Sequence, residues 1–246
     1  MSQEMENFVN MLKESKRIVF FGGAGVSTES DIPDFRSEQG IYNTVHSYGC
    51  PPEEILSHTY FMRNTKIFYD FYRTTMVYRD AQPNEAHKAL AKLEAMGKLT
   101  AVVTQNIDGL HQAAGSKAVY EVHGSIHRNY CMKCGKAFSL DAVMSMAGIP
   151  RCDQCGGVIK PDVVLYEESL DERTINKSIQ AIEAADMLIV GGTSLNVYPA
   201  ASFVSYYNGQ RLVLINKSTT SYDKYANLLI HDSIGKVLGE AVARLS

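Results

Sequence analysis

Four of the five cysteines stand in two close pairs, Cys131-x-x-Cys134 and Cys152-x-x-Cys155, with 17 residues between the pairs. That spacing falls within the range of four-thiolate zinc sites, and Gly135, Gly156 and Gly157 supply the tight turns that metal knuckles need. Four thiolates fill a tetrahedral shell and leave no position for water or substrate. The metal, one structural zinc ion, is therefore expected to fold a small ribbon over about residues 128–158 and to take no part in catalysis. A redox pair or plain reduced thiols is the competing reading. Cys50 is left over as a single thiol.

A second set of residues suits a phosphate and a sugar. Gly22-Gly23-Ala24-Gly25 follows a short apolar run at 17–21, the order expected where a buried strand turns tightly into a helix and lets its backbone approach a pyrophosphate. A tight turn without a ligand explains the glycines as well. The position of the third glycine of the dinucleotide fingerprint is Thr28, and no strand ending in an acidic residue follows about twenty residues later, so an ordinary nicotinamide dehydrogenase is disfavoured. Further along stand Asn106, Asp108 and His123. Each has a plain alternative, the first two as helix caps and the third as a satisfied structural histidine.

The elements that would position these groups alternate along the chain. Met5, Phe8, Val9 and Leu12 mark one helical face, as do Ala86, Leu90, Leu93 and Met96, then Ile175, Ile179 and Ile182, and finally Ile234, Val237, Leu238, Ala241 and Val242. Between them, apolar runs at 17–21, 99–104, 118–122, 163–166, 187–191, 211–215 and 228–230 read as strands. Continuous apolar strands alternating with helices indicate an α/β fold, a Rossmann-like parallel sheet with helices on both faces. In such sheets ligands sit beyond the carboxyl ends of the strands. Those ends carry Gly22 to Ser27, Gln105 to His111, His123-Gly124, Gly192-Thr193-Ser194 and Asn216-Lys217. Two segments interrupt the alternation: an aromatic-rich helical stretch with Phe61, Phe68, Tyr69, Tyr72 and Met76, and the cysteine ribbon. The expected division is a nucleotide-binding domain of residues 1–36, 82–127 and 159–246, and a small domain made of a helical insertion at 37–81 and a zinc ribbon at 128–158.

The 246 residues, 45% of them hydrophobic, can bury a proper core. With 24 basic against 27 acidic side chains and a net charge of −3, nothing suggests a nucleic-acid or membrane-binding face. Residues 1–15 lack a basic head followed by an apolar block, and no run approaches the length of a membrane span, so a cytoplasmic protein is expected.

Taken together, Gly23-Ala24-Gly25-Val26-Ser27, Ile32-Pro33-Asp34-Phe35-Arg36, Thr104-Gln105-Asn106-Ile107-Asp108-Gly109-Leu110-His111, His123-Gly124, the two cysteine pairs and Gly192-Thr193-Ser194 with Val197-Tyr198-Pro199-Ala200 closely resemble the sirtuins, the NAD-dependent protein lysine deacylases. The resemblance runs from residue 16 to residue 233, in the family's order. It implies that NAD is consumed as a co-substrate: the bond to nicotinamide breaks, the acyl oxygen of a modified lysine attacks the ribose carbon, and the acetyl group leaves lysine as 2′-O-acetyl-ADP-ribose. Carried onto this chain, His123 is the catalytic base that takes a proton from a ribose hydroxyl, and Asn106 is a catalytic partner. Gly23, Ala24, Gly25, Thr28, Asp34, Phe35, Arg36, Gln105, Asn106, Ile107, Asp108 and His123 bind the nicotinamide and phosphate side, with Phe35 shielding the reactive carbon. Gly192, Thr193, Ser194, Asn216, Lys217, Asp232 and Ser233 hold phosphate and adenosine. The acetyl-lysine peptide adds a strand between Val163, Leu165, Tyr166 and Glu167 on one side and Leu195, Asn196, Val197 and Tyr198 on the other. The partners implied are acetyl-lysine proteins or peptides, with no nucleic acid and no membrane, for a chain expected to be a monomer.

Relatives that remove acidic acyl groups resemble a Tyr-x-x-Arg pattern. Here Tyr69 is followed by Tyr72, and Arg73 is one residue off, about 100° around the helix, so neutral acyl groups are expected. The plain reading makes both tyrosines core aromatics. The chain also departs from the family at Gly22 (usually Thr), Asp31 (usually Gly) and Glu167 (usually Gly), the last suggesting a preference for basic residues beside the acetyl-lysine. ADP-ribosyl transfer to a protein and a noncatalytic binding module remain the alternatives.

Overall fold

The β-branched and aromatic run Ile18–Gly22 forms strand β1, every residue of which is buried. Ile18 and Phe20 project into one apolar cluster and Val19 and Phe21 into another, the period of two that a strand covered on both faces requires. The computed structural model describes residues 2–34, 41 and 48–245. Its further strands are β2 (Leu99–Thr104), β3 (Val119–Glu121), β4 (Gly124–Cys131), β5 (Ala137–Ser139), β6 (Ile159–Val163), β7 (Met187–Gly191), β8 (Leu212–Ile215) and β9 (Leu228–Ile230).

Six of these build one sheet in the order β3-β2-β1-β7-β8-β9, all neighbours parallel. Numbered along the sheet's own strands this is the 3-2-1-4-5-6 order of a doubly wound fold, whose order reverses between β1 and β7. Helices Gln3–Glu14, Glu85–Ala95 and Ile234–Ala243 cover one face through Phe8, Leu12, Leu90, Val237 and Leu238. Helix Glu172–Ala184 and the 3-10 run Ala200–Tyr206 cover the other. Registers are level at the carboxyl edge: Gly22 lies opposite both Thr104 and Gly191, and Gly191 lies opposite Ile215. The next residue on each strand, Gly23, Gln105, Gly192 and Asn216, therefore shares one edge.

The strand expected at 163–166 is not in this sheet. Strand β6 ends at Val163 and pairs antiparallel with β4, which also pairs with β5 in a separate three-stranded sheet. Its burial alternates along the strand, the signature of a strand covered on one face, and beyond it Leu165 is buried in the cluster that holds Phe61, Phe68, Tyr69 and Tyr72 of the helical insertion. Gly124 makes the departure possible. Its φ of 76° turns the chain out of the parallel sheet directly after His123, and a side chain there would collide with the Asp162 carbonyl. Residues 124–127 and 159–163 thus lie in the small sheet.

Helices His58–Arg63 and Thr65–Phe71 and a π-turn at Tyr72–Met76 pack on this small sheet. Phe61, Phe68, Tyr69 and Tyr72 are buried together, Phe61 and Phe68 edge to face at 4.8 Å. The Tyr69 hydroxyl donates to the Ile159 carbonyl, and Arg73, its guanidinium 5.2 Å from the Tyr69 ring centroid, donates to the carbonyls of Met146 and Gly148 at 2.9 and 2.7 Å. Both tyrosines are thus core residues. No helix among the described residues is long and apolar enough to cross a membrane.

Candidate functional site

A cavity of about 980 Å³ lies over the carboxyl edge of the parallel sheet and beneath the small sheet. Among the residues expected there, Ala24, Gly25, Thr28, Asp34, Gln105, Asn106, Ile107, Asp108, His123, Gly192, Thr193, Ser194, Asn216, Lys217, Asp232 and Ser233 line it, as do Val163, Leu165, Tyr166, Glu167, Asn196, Val197 and Tyr198. Two do not. Gly23 is walled off: a side chain there would meet Gln105 Oε1 at 2.8 Å and Thr193 Cβ at 2.9 Å. Leu195 is buried in the core beneath the loop, in a left-handed conformation, its N–H donating to Thr193 Oγ1. Phe35 and Arg36 lie outside the described residues.

The buried polar groups form two connected sets. In the first, Asn106 Nδ2 donates to Ser27 Oγ at 3.0 Å and Ser27 Oγ donates to Asp108 Oδ2 at 2.7 Å, so one hydroxyl joins an amide to a carboxylate. The other oxygen of Asp108 accepts from the Leu110 N–H at 2.9 Å. Burial raises the Asp108 carboxyl above its ordinary value, against the pull of these hydrogen bonds. In the second set, Thr193 gives its hydroxyl to Gln105 Oε1 and its N–H to Asn216 Oδ1, both at 3.1 Å. With both amide oxygens taken, Gln105 Nε2 and Asn216 Nδ2 are left as buried donors without a partner among the described residues.

His123 stands between the sets. Its Nδ1 lies 3.1 Å from the carbonyl of Gln105. A carbonyl only accepts, so Nδ1 carries the proton and Nε2 keeps its lone pair. Burial lowers the imidazole from its ordinary value, so the neutral form prevails near pH 7. The His123 carbonyl in turn accepts from the Val164 N–H at 3.0 Å, which ties the end of β3 to the segment leaving β6.

These features fit a dinucleotide. The glycine turn and the loop after β7 are in backbone contact, Gly25 N–H donating to Gly192 O at 2.8 Å, and a side chain on Gly25 would lie 2.9 Å from the Gly192 Cα. The small residues keep the floor of the cavity low enough for a diphosphate, and the unpartnered amide donors of Gln105 and Asn216 stand beside it.

The four paired cysteines converge in the small lobe, their Sγ atoms all within 4.8 Å of one another. Cys131 and Cys155 are 3.4 Å apart and Cys134 and Cys152 3.6 Å, far longer than a disulfide and close to the ~3.8 Å edge of a tetrahedron of ~2.3 Å zinc–sulfur bonds. Gly135 and Gly156 hold φ values of 72° and 69°, as knuckle turns demand, and the Lys133 N–H points at Cys131 Sγ. The donor set suits one zinc ion. None of the four lines the cavity, so the thiolates stand apart from the histidine.

Ser27, Glu29 and Glu168 take structural parts that residue types alone did not reveal. Ser27 was visible as part of the glycine motif, but its bridging role needs the β1 and β2 ends to be level. Glu29 accepts from the Gly235 N–H at 2.9 Å, fastening the cofactor-side turn to helix Ile234–Ala243.

The family model described as "Sir2 family" matches residues 23–199. An "NAD-dependent protein deacetylase" of Clostridium acetobutylicum is 63% identical over 235 residues, covering 94% of this chain and 96% of that protein. A solved structure described as "Structural Basis for the Mechanism and Regulation of Sir2 Enzymes" superposes with a TM-score of 0.89 at 38% identity, covering all of both chains. Another, a Sir2 variant with a deacetylated p53 peptide and 3′-O-acetyl ADP ribose, gives 0.88 at 35% identity over 98% of each chain. A match across this much of the sequence and the whole of the fold, with the paired cysteines and the edge motifs in place, makes the chain a member of the Sir2 family.

Proposed function

We propose that this chain is an NAD-dependent protein lysine deacetylase. It transfers the acetyl group of a lysine side chain to ADP-ribose, releasing nicotinamide and 2′-O-acetyl-ADP-ribose. The observation that carries the reading is the tautomer of His123. With Nδ1–H committed to the Gln105 carbonyl, Nε2 is a neutral base at the edge where Asn106, Ser27 and Asp108 are locked together.

NAD supplies the activated glycosidic bond and the ribose hydroxyls; the protein supplies placement and one proton acceptor. Asn106 and Asp108, held by Ser27, fix the nicotinamide and its ribose, and Ile107, Ile126 and Leu165 present apolar surface that keeps water from the reacting carbon. His123 Nε2 takes the proton from a ribose hydroxyl as that hydroxyl attacks the acyl carbon. Gly192, Thr193, Ser194, Asn216, Lys217, Asp232 and Ser233 carry the phosphates and adenosine. The acetylated peptide lies along residues 163–167 opposite residues 196–198. The Val164 carbonyl and the Glu167 N–H, unpaired among the described residues, offer it backbone partners. Tyr72 stands where the pattern of acidic-acyl relatives has arginine, and Arg73 is bonded to the Met146 and Gly148 carbonyls, so neutral acyl groups are preferred. The zinc ion stabilises the small sheet and takes no part in the chemistry.

Incubating the protein with an acetyl-lysine peptide and NAD tests this. Nicotinamide and acetyl-ADP-ribose should appear in equal amounts, one for each lysine freed. ADP-ribose attached to a protein, with no deacetylated peptide, would favour transfer to protein instead.

A further inference from the structure

Glu167 departs from its surroundings in two ways. Its φ of 76° places an ordinary side chain in the left-handed region that favours glycine. Its carboxylate, instead of pointing freely into solvent, accepts from the Thr59 N–H at 2.8 Å, in the first turn of helix His58–Arg63. That turn leaves several N–H groups without helical partners, and the Ser57 hydroxyl already serves Tyr60. Glu167 serves the next one.

The bond belongs to a row of links at the same place. The Tyr166 N–H donates to the Leu56 carbonyl at 2.9 Å, and the His58 N–H to the Tyr166 carbonyl at 3.0 Å. Glu168 accepts from the Leu165 N–H and pairs with Lys160 through one oxygen, both at 2.9 Å, while its other oxygen lies 2.8 Å from His58 Nδ1. The helical insertion is thereby stitched to the stretch 165–168, all four residues of which line the cavity.

We propose that Glu167 is a positioning residue that holds this edge of the peptide groove in its binding shape, by tethering it to the start of helix His58–Arg63. The left-handed backbone aims its N–H, and the side chain stops the segment from relaxing out of that conformation. This deepens the deacetylase reading and rests on it for the identity of the peptide. It also differs from charge recognition: one carboxylate oxygen is committed to a backbone donor, and the role assigned to it is to shape the groove, not to select basic neighbours of the acetyl-lysine.

The test compares E167A with E167Q in the zinc-loaded full chain. Alanine keeps a side chain at positive φ but removes the acceptor. Glutamine keeps an oxygen for Thr59 and removes only the charge. In E167A the KM for acetyl-lysine peptide should rise about fivefold, as loss of one hydrogen bond of roughly 1 kcal/mol predicts, with a smaller change in kcat and in the KM for NAD. The exposed Thr59 amide should exchange its hydrogen about fivefold faster in the free protein, and E167Q should rescue both. The proposal is overturned if Thr59 exchange in E167A matches wild type. It is equally overturned if both variants lose affinity only for peptides with lysine or arginine flanks, the result that charge recognition predicts. Absence of nicotinamide release from the wild-type protein would sink the deacetylase reading, while the exchange rates would still decide the tether.

Discussion

His87, in helix Glu85–Ala95, and His111, in the short helix Leu110–Ala113, are buried against each other, their rings 4.7 Å apart and edge-on. His87 Nδ1 accepts from the Asn84 N–H in a helix capping box, but its Nε2 and both nitrogens of His111 have no partner among the described residues. Burial lowers His87 to about 4, and burial together with the neighbouring ring lowers His111 to about 3. In the unfolded chain each titrates near 6.5, so the unfolded state binds more protons in the interval between. The stability that these neutral rings preserve is fully present above pH ~6.5 and drains away as pH falls toward their folded values. At pH 5 the deficit is about 2 kcal/mol for each ring, against almost nothing at pH ~7.5. Substituting His111→Leu removes one titrating group at similar volume. Urea unfolding at about pH 7.5 and 5.0, with zinc saturating throughout so that the thiolates contribute equally, should show wild type losing about 2 kcal/mol more than the variant. For a slope of about 2–3 kcal/mol per molar that is a relative shift of about 0.7–1 M in the urea midpoint. Equal losses in the two proteins would mean that His111 protonates freely in the folded state, and the reasoning from burial would be wrong.

Three other outcomes follow from the site. Replacing His123 by alanine should lower kcat at least ~10²-fold with a wild-type melting temperature; because the base must be neutral and burial lowers it, the acid limb of wild-type kcat/KM should lie below pH 6.5. Ser27→Ala cuts the bridge between Asn106 and Asp108 and should cost about 1–3 kcal/mol of transition-state stabilisation, read as kcat/KM for NAD. Cys152→Ser, or a strong chelator, should release zinc and lower the melting temperature by several degrees, measured by metal content and thermal unfolding together.

Much of this architecture was legible in the residues. Strands 99–104, 187–191 and 228–230 lie where their apolar runs predicted, because strands buried on both faces leave continuous signals. Reading only the residues after each strand placed Gln105, Asn106, Asp108, His123, Thr193 and Asn216 on one cavity wall, since parallel strands in level register bring their ends together whatever lies between. What escaped was set by contacts distant in sequence. The apolar run at 163–166 looked like one more parallel strand, yet Gly124 had already carried the chain into an antiparallel sheet. Gly23, from the glycine motif, and Leu195, expected beside the peptide, are buried away from the cavity, which no spacing reveals. Asp31 and Glu167, noted as unusual for the family, both have positive φ, so each stands where glycine would be the unstrained choice.

The contact between Gly25 and Gly192 has a consequence for how the pocket can change. Two turns more than 160 residues apart in sequence press main chain against main chain, with no side chain between to act as a spacer. A methyl group added to either would push both apart in the empty protein, before any nucleotide arrives. The spacing of these two turns is therefore a property of the resting scaffold, and neither can be remodelled for a bulkier ligand unless the opposite one is rebuilt with it.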